Sequence, residues 1–127
     1  FDVLILDAFS SGSIPMHLLT KEAIETYVRA LKPDGIILIH ISNRVLNLRP
    51  LISITAATIG HTAYFKEGEP LDNLDLKDSE WALVGSFSEA ARRQIEARGW
   101  QAISQQSSTL PRPWTDETSD LLSVWRW

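Results

Sequence analysis

Apolar residues in this chain fall in short runs, separated by polar stretches and by segments with helical spacing. Val3-Leu4-Ile5-Leu6 is too short for a helix and rich in strand formers. It predicts a buried strand, most simply a parallel one. Asp7 follows directly. Residues 8–19 contain Ser10, Ser11, Gly12, Ser13 and Pro15 and predict a loop. Thr20 is suited to cap a helix with Glu22 in its first turn. Ile24, Tyr27, Val28 and Leu31 then share the i, i+3, i+4, i+7 spacing of one apolar face. Lys32-Pro33-Asp34-Gly35 stops that helix and turns the chain. Residues 36–41 predict a second buried strand and 42–47 a polar loop. Pro50 suits the first turn of a helix that runs to about residue 59 and ends at Gly60. Residues 61–66 alternate and predict a third strand. Residues 67–79, with Gly68, Pro70 and three Asp, predict exposed loop, and 81–87 a fourth strand. Ser88 caps a charged helix that Gly99 ends. Residues 101–118 are loop-rich, and 121–127 read as a strand or a packed terminal segment.

The predicted order is β-α-β-α-β-β-α. Strand, helix, strand with short connections is a right-handed crossover unit, so the first part is doubly wound α/β. The two successive strands suggest a hairpin closing one edge. This is the pattern of the C-terminal half of a Rossmann-type sheet of the S-adenosylmethionine-dependent methyltransferase kind, in which an antiparallel strand inserts near the edge. The glycine-rich turn and acidic ribose ligand of such a sheet belong to its first half. No Gly-x-Gly-x-x-Gly occurs here, so residues 1–127 are expected to be a single partial domain with part of its site upstream.

Composition narrows the function classes. Hydrophobic residues make up 44% of the 127 and charged residues 22%, which fits a globular domain rather than a disordered chain. With no cysteine, a disulfide scaffold, a thiol nucleophile and a cysteine-ligated metal are excluded. Three scattered histidines lack zinc-ligand spacing, so no metal is expected. A net charge of −4 argues against a broad nucleic-acid footprint. No apolar run approaches the roughly 18 residues of a membrane span, and no secretory leader is expected. The cytoplasm, or the cytoplasmic face of a membrane, is the expected location.

Asp7 stands at the carboxyl end of the first strand, where open α/β sheets bind ligands. It serves there either as a proton acceptor or cation-steering group, or as a cap on nearby backbone N–H groups. Residues 10–15 form either a lid over a ligand, with Ser10 and Ser11 as hydrogen-bonding groups, or a plain connection. His40, Asn43 and Arg44 share the sheet edge with Asp7. Arg44 suits a carboxylate or phosphate and Asn43 an amide or amine. The commoner outcome for His40 is burial with a backbone partner. Asp116, in the loop Trp114-Thr115-Asp116-Glu117, either enters the same pocket or is a turn aspartate. Trp81, Trp100, Trp125 and Trp127 read as core or docking anchors. Glu89, Arg92, Arg93 and Glu96 read as a solvated helix face.

Asp2-Val3-Leu4-Ile5-Leu6-Asp7-Ala8-Phe9-Ser10, with Leu18-Leu19-Thr20 and Leu31-Lys32-Pro33-Asp34-Gly35, resembles the spermidine synthase (polyamine aminopropyltransferase) family. His40-Ile41-Ser42-Asn43-Arg44 and Pro113-Trp114-Thr115-Asp116 are more similar to a branch in which such a domain follows a multi-helix membrane region, often of transporter type. The resemblance covers nearly the whole chain. It implies transfer of an aminopropyl group from decarboxylated S-adenosylmethionine, a co-substrate rather than a tightly bound cofactor, to a small amine. Asp7 matches the first Asp of the family's Asp-x-x-Asp, the base that deprotonates the attacking amine. Ser10 stands where the second Asp helps to bind the polyamine. Asp7 is then the catalytic residue, and Ser10, Ser11, Asn43, Arg44 and Asp116 line the acceptor pocket. A homodimer is expected, and activity only in the intact protein. The other expectations are an S-adenosylmethionine-dependent methyltransferase, or a non-catalytic binding or regulatory domain of a membrane protein.

Overall fold

A computed structural model describes residues 1–7, 16–42, 46–68, 79–103 and 112–116. Among them the chain forms strand β1 (Val3–Leu6), a 3₁₀ turn at Met16–Leu18, helix α1 (Lys21–Ala30), strand β2 (Ile36–His40) and helix α2 (Arg49–Thr58). Strands β3 (Thr62–Glu67) and β4 (Glu80–Gly85) and helix α3 (Glu89–Ala97) follow. The element order matches the sequence expectation, and the bounds differ by a residue or two.

The strands make one mixed sheet in the order β1-β2-β4-β3. β1 runs parallel to β2, with Val3 opposite Ile36 and Leu6 opposite Ile39. β4 is antiparallel to both of its neighbours, β2 and β3. The carboxyl ends of β1, β2 and β3 therefore meet at one edge of the sheet, together with the start of β4.

Period-two alternation sorts the strand residues onto two faces. Ile37 and Ile39 of β2, Ala82 and Val84 of β4, and Ala63 and Phe65 of β3 are all buried on one face. Ile24 of α1 and Leu51, Ile52 and Ala56 of α2 pack against them, as does Leu19. Both predicted N-caps form: Thr20 Oγ1 accepts the Ala23 N–H and Ser88 Oγ accepts the Ala91 N–H. Gly60 and Gly99 end α2 and α3 with φ of 77° and 91°, a left-handed conformation that costs a residue with a Cβ about 1–2 kcal/mol.

One expectation needs correction. β1 is not a buried strand. Among the described residues it has a strand partner on one side only, and Val3 and Ile5 stand 45% and 60% exposed on the face away from the core, while Leu4 and Leu6 are half-buried. Trp114 lies in a loop, as the sequence predicts, and its side chain is buried in the core. Its carbonyl accepts the Lys21 N–H at 2.6 Å, tying residues 112–116 to the start of α1. The segments 8–15, 69–78, 104–111 and 117–127, which carry the predicted lid, the acidic loop and the terminal apolar run, lie outside the described residues.

Candidate functional site

The carboxyl edge of the sheet gathers the polar chemistry. Asp7 is the first residue beyond β1, and its side chain is 64% exposed. His40 is the last residue of β2, with 22% of its side chain exposed. The parallel register Leu6 to Ile39 carries Asp7 alongside His40, and Asp7 Oδ1 lies 2.9 Å from His40 Nδ1. His40 Nε2 lies 2.8 Å from Ser42 Oγ, which accepts the Glu80 backbone N–H at 2.7 Å. Trp81, opposite His40 in the β2–β4 register, stacks on the imidazole with ring centroids 4.8 Å apart and planes 28° apart. His40 is thus held by side chains on both nitrogens rather than by backbone, which corrects the expectation: its strand-end position puts Asp7 and Ser42 within reach.

A second charged group borders this edge. Arg49, at the start of α2, bonds through Nε to Glu80 Oε1, and its Nη2 donates to Glu67 Oε1 at 3.1 Å. Its guanidinium lies over the Phe65 ring, 5.7 Å from the centroid. Glu80 and Glu67 are opposite one another in the β3–β4 register, so one arginine offsets two carboxylates that would otherwise repel.

Asp116 is engaged elsewhere. Its Oδ1 accepts from Thr20 Oγ1 at 2.8 Å, and its N–H donates to Glu22 Oε2 at 3.1 Å. Its bonds are those of a residue that secures the first turn of α1. Ser10, Ser11, Asn43 and Arg44 lie outside the described residues. The cleft lined by Leu19, Ile24, Ile52, Thr55, Ala56 and Val84 lies in the core, on the sheet face opposite His40. Its one hydroxyl, Thr55, already donates to the Leu51 carbonyl at 2.7 Å.

Ser42 and Trp81 were not read as site residues from sequence. The signal that points to them is register: once β1 and β2 end level, Asp7 meets His40, and the next same-face neighbour across the sheet is Trp81. Among the described residues, no group of three His, Asp or Glu is placed to hold a metal ion, and no helix is long and apolar enough to cross a membrane. Comparison with protein-family models, curated proteins and solved structures gave no match to this chain.

Proposed function

We propose that this chain is the acceptor-side, C-terminal half of a Rossmann-type, spermidine-synthase-like transferase, which moves an alkyl group from a sulfonium donor to an amine. The observation that carries this reading is the Asp7 carboxylate: exposed, at the carboxyl end of a strand, and fixed by a hydrogen bond to His40. The antiparallel β4 set between β2 and β3 is the strand arrangement that such a sheet requires. An amine reaches the site as an ammonium ion, which a lone carboxylate attracts and orients. Once the nitrogen has lost a proton, its electron pair attacks the carbon next to the sulfonium. The C–S bond breaks, and the sulfur leaves as a neutral thioether. Asp7 serves as the base or the cation-steering group in this step. The donor is decarboxylated S-adenosylmethionine, and its nucleotide contacts come from outside residues 1–127. The partners are a small amine, a second copy of the chain and a membrane region of the intact protein, on its cytoplasmic side.

Incubation of the intact protein with a diamine and each donor tests this. Methylthioadenosine from the decarboxylated donor is the expected product. S-adenosylhomocysteine from S-adenosylmethionine itself identifies a methyltransferase instead. Neither thioether, from folded protein, means a non-catalytic domain. If Asp7 is the base, Asp7→Asn is expected to lower turnover by roughly 10²–10⁴-fold with little effect on the melting temperature, since the side chain is largely exposed.

A further inference from the structure

The bonds joining Asp7, His40 and Ser42 assign their protons. A carboxylate only accepts, so the bond at 2.9 Å requires the hydrogen on His40 Nδ1. In the neutral ring, Nε2 then carries the lone pair, and Ser42 Oγ, 2.8 Å away, donates to it. The Glu80 N–H, 2.7 Å from the same oxygen, occupies one of its lone pairs and turns the hydroxyl hydrogen toward the ring. Stacking on Trp81 holds the imidazole plane, and a flipped ring would aim carbon at both partners. One tautomer is thereby selected, with its basic nitrogen behind a hydroxyl.

We infer that His40 is the proton acceptor of this site, that Ser42 passes the proton, and that Asp7 steers the cationic amine and stabilises the imidazolium. This rests on the amine-transfer reading above and names the base within it. The ammonium gives a proton to Ser42 Oγ as the Ser42 proton moves to His40 Nε2. The result is a neutral amine, an intact hydroxyl and an imidazolium. Both N–H groups of that imidazolium already face acceptors, Asp7 Oδ1 and Ser42 Oγ, so the charge forms without rearrangement. After the amine nitrogen has bonded to carbon and the thioether has left, His40 returns its proton to solvent. Imidazole as a class is a stronger base than a carboxylate, and so nearer to an alkylamine. Among the described residues, Lys66, beyond Trp81 on the same face of the sheet, is engaged by the Arg98 carbonyl at 2.8 Å, and the Glu80 carboxylate, on the other face, by Arg49.

Two measurements test this. In ¹⁵N-histidine NMR of the protein without substrate, His40 is expected as the Nδ1–H tautomer at neutral pH, with Nε2 gaining the next proton as pH falls. An Nε2–H tautomer, or a mixture of the two, overturns the proposal whatever the reaction is. In amine transfer by the intact protein, His40→Gln is expected to lower kcat roughly 100-fold with little change in KM, and to move the acid limb of the pH–rate profile to lower pH. Ser42→Ala is expected to lower kcat, and Ser42→Thr to restore it. Wild-type kcat in His40→Gln, or a reduced kcat with an unmoved acid limb, overturns the proposal and leaves the transfer reading standing. A wild-type protein that transfers nothing overturns the transfer reading and His40's part in it, and is distinguished by a tautomer that still forms as described.

Discussion

Tyr27 shows how one side chain couples stability to pH. Its hydroxyl donates to the Leu18 carbonyl at 3.2 Å, and burial raises its pKa above the usual 10.0. The unfolded chain then gives up the phenolic proton before the folded one does. The contribution is fully present below the ordinary tyrosine range and is lost as pH rises through the raised value. Tyr27→Phe is expected to cost about 1 kcal/mol at neutral pH through the lost hydrogen bond, yet to decline less at alkaline pH. Urea midpoints at the two pH values check both signs. At the residue scale the strand-end position of Asp7 was legible in the sequence. Asp7 stood out because a charge directly after an apolar run marks a strand end. Ser42 did not, because a serine two residues after a histidine has no meaning until β4 brings the Glu80 N–H to it.

Elements were legible where the signal is local. The helix caps, the helix-ending glycines and the β3–β4 hairpin each follow from neighbouring residues. The edge position of β1 does not, because an apolar tetrapeptide reads the same with one strand neighbour or two. Trp114 was likewise hidden, since its contacts are with α1, far away in sequence. Those contacts make the two N-caps unequal. Thr20 is buried and its hydroxyl also donates to Asp116, whereas the Ser88 cap is exposed. Thr20→Ala is expected to destabilise the protein by about 1–2 kcal/mol, and Ser88→Ala by about 1 kcal/mol or less. Denaturant midpoints of the two variants, measured side by side, check the ranking.

At the scale of the molecule, Arg49 joins α2 to both strands of the hairpin. The Glu80 side chain is 11% exposed and Arg49 26%, so removing the arginine leaves a poorly solvated carboxylate. Arg49→Met is expected to cost about 2–3 kcal/mol, and adding Glu80→Gln to recover part of it, as thermal melts would read. The opposite edge carries the consequence of an uncovered strand. Val3 and Ile5 are exposed, and among the described residues no strand pairs with the outer side of β1, which makes this edge a template for another chain. Self-association that Ile5→Lys abolishes is the expected result of light scattering over a dilution series. A concentration-independent monomer would sink the idea.

The placement of β4 also sets the timetable of assembly. A chain leaving the ribosome releases β1, β2 and β3 before β4, yet β4 is the strand between β2 and β3. Until Glu80–Gly85 has emerged, β2 and β3 have no shared partner, and the helices above them have half a sheet to cover. The centre of the sheet therefore closes only once β4 is available to pair with both β2 and β3. Long-range closure of this kind is slow, and it leaves bare strand edges in the meantime. Until residue 85 has emerged, the nascent chain carries strand edges that only its own later segment covers.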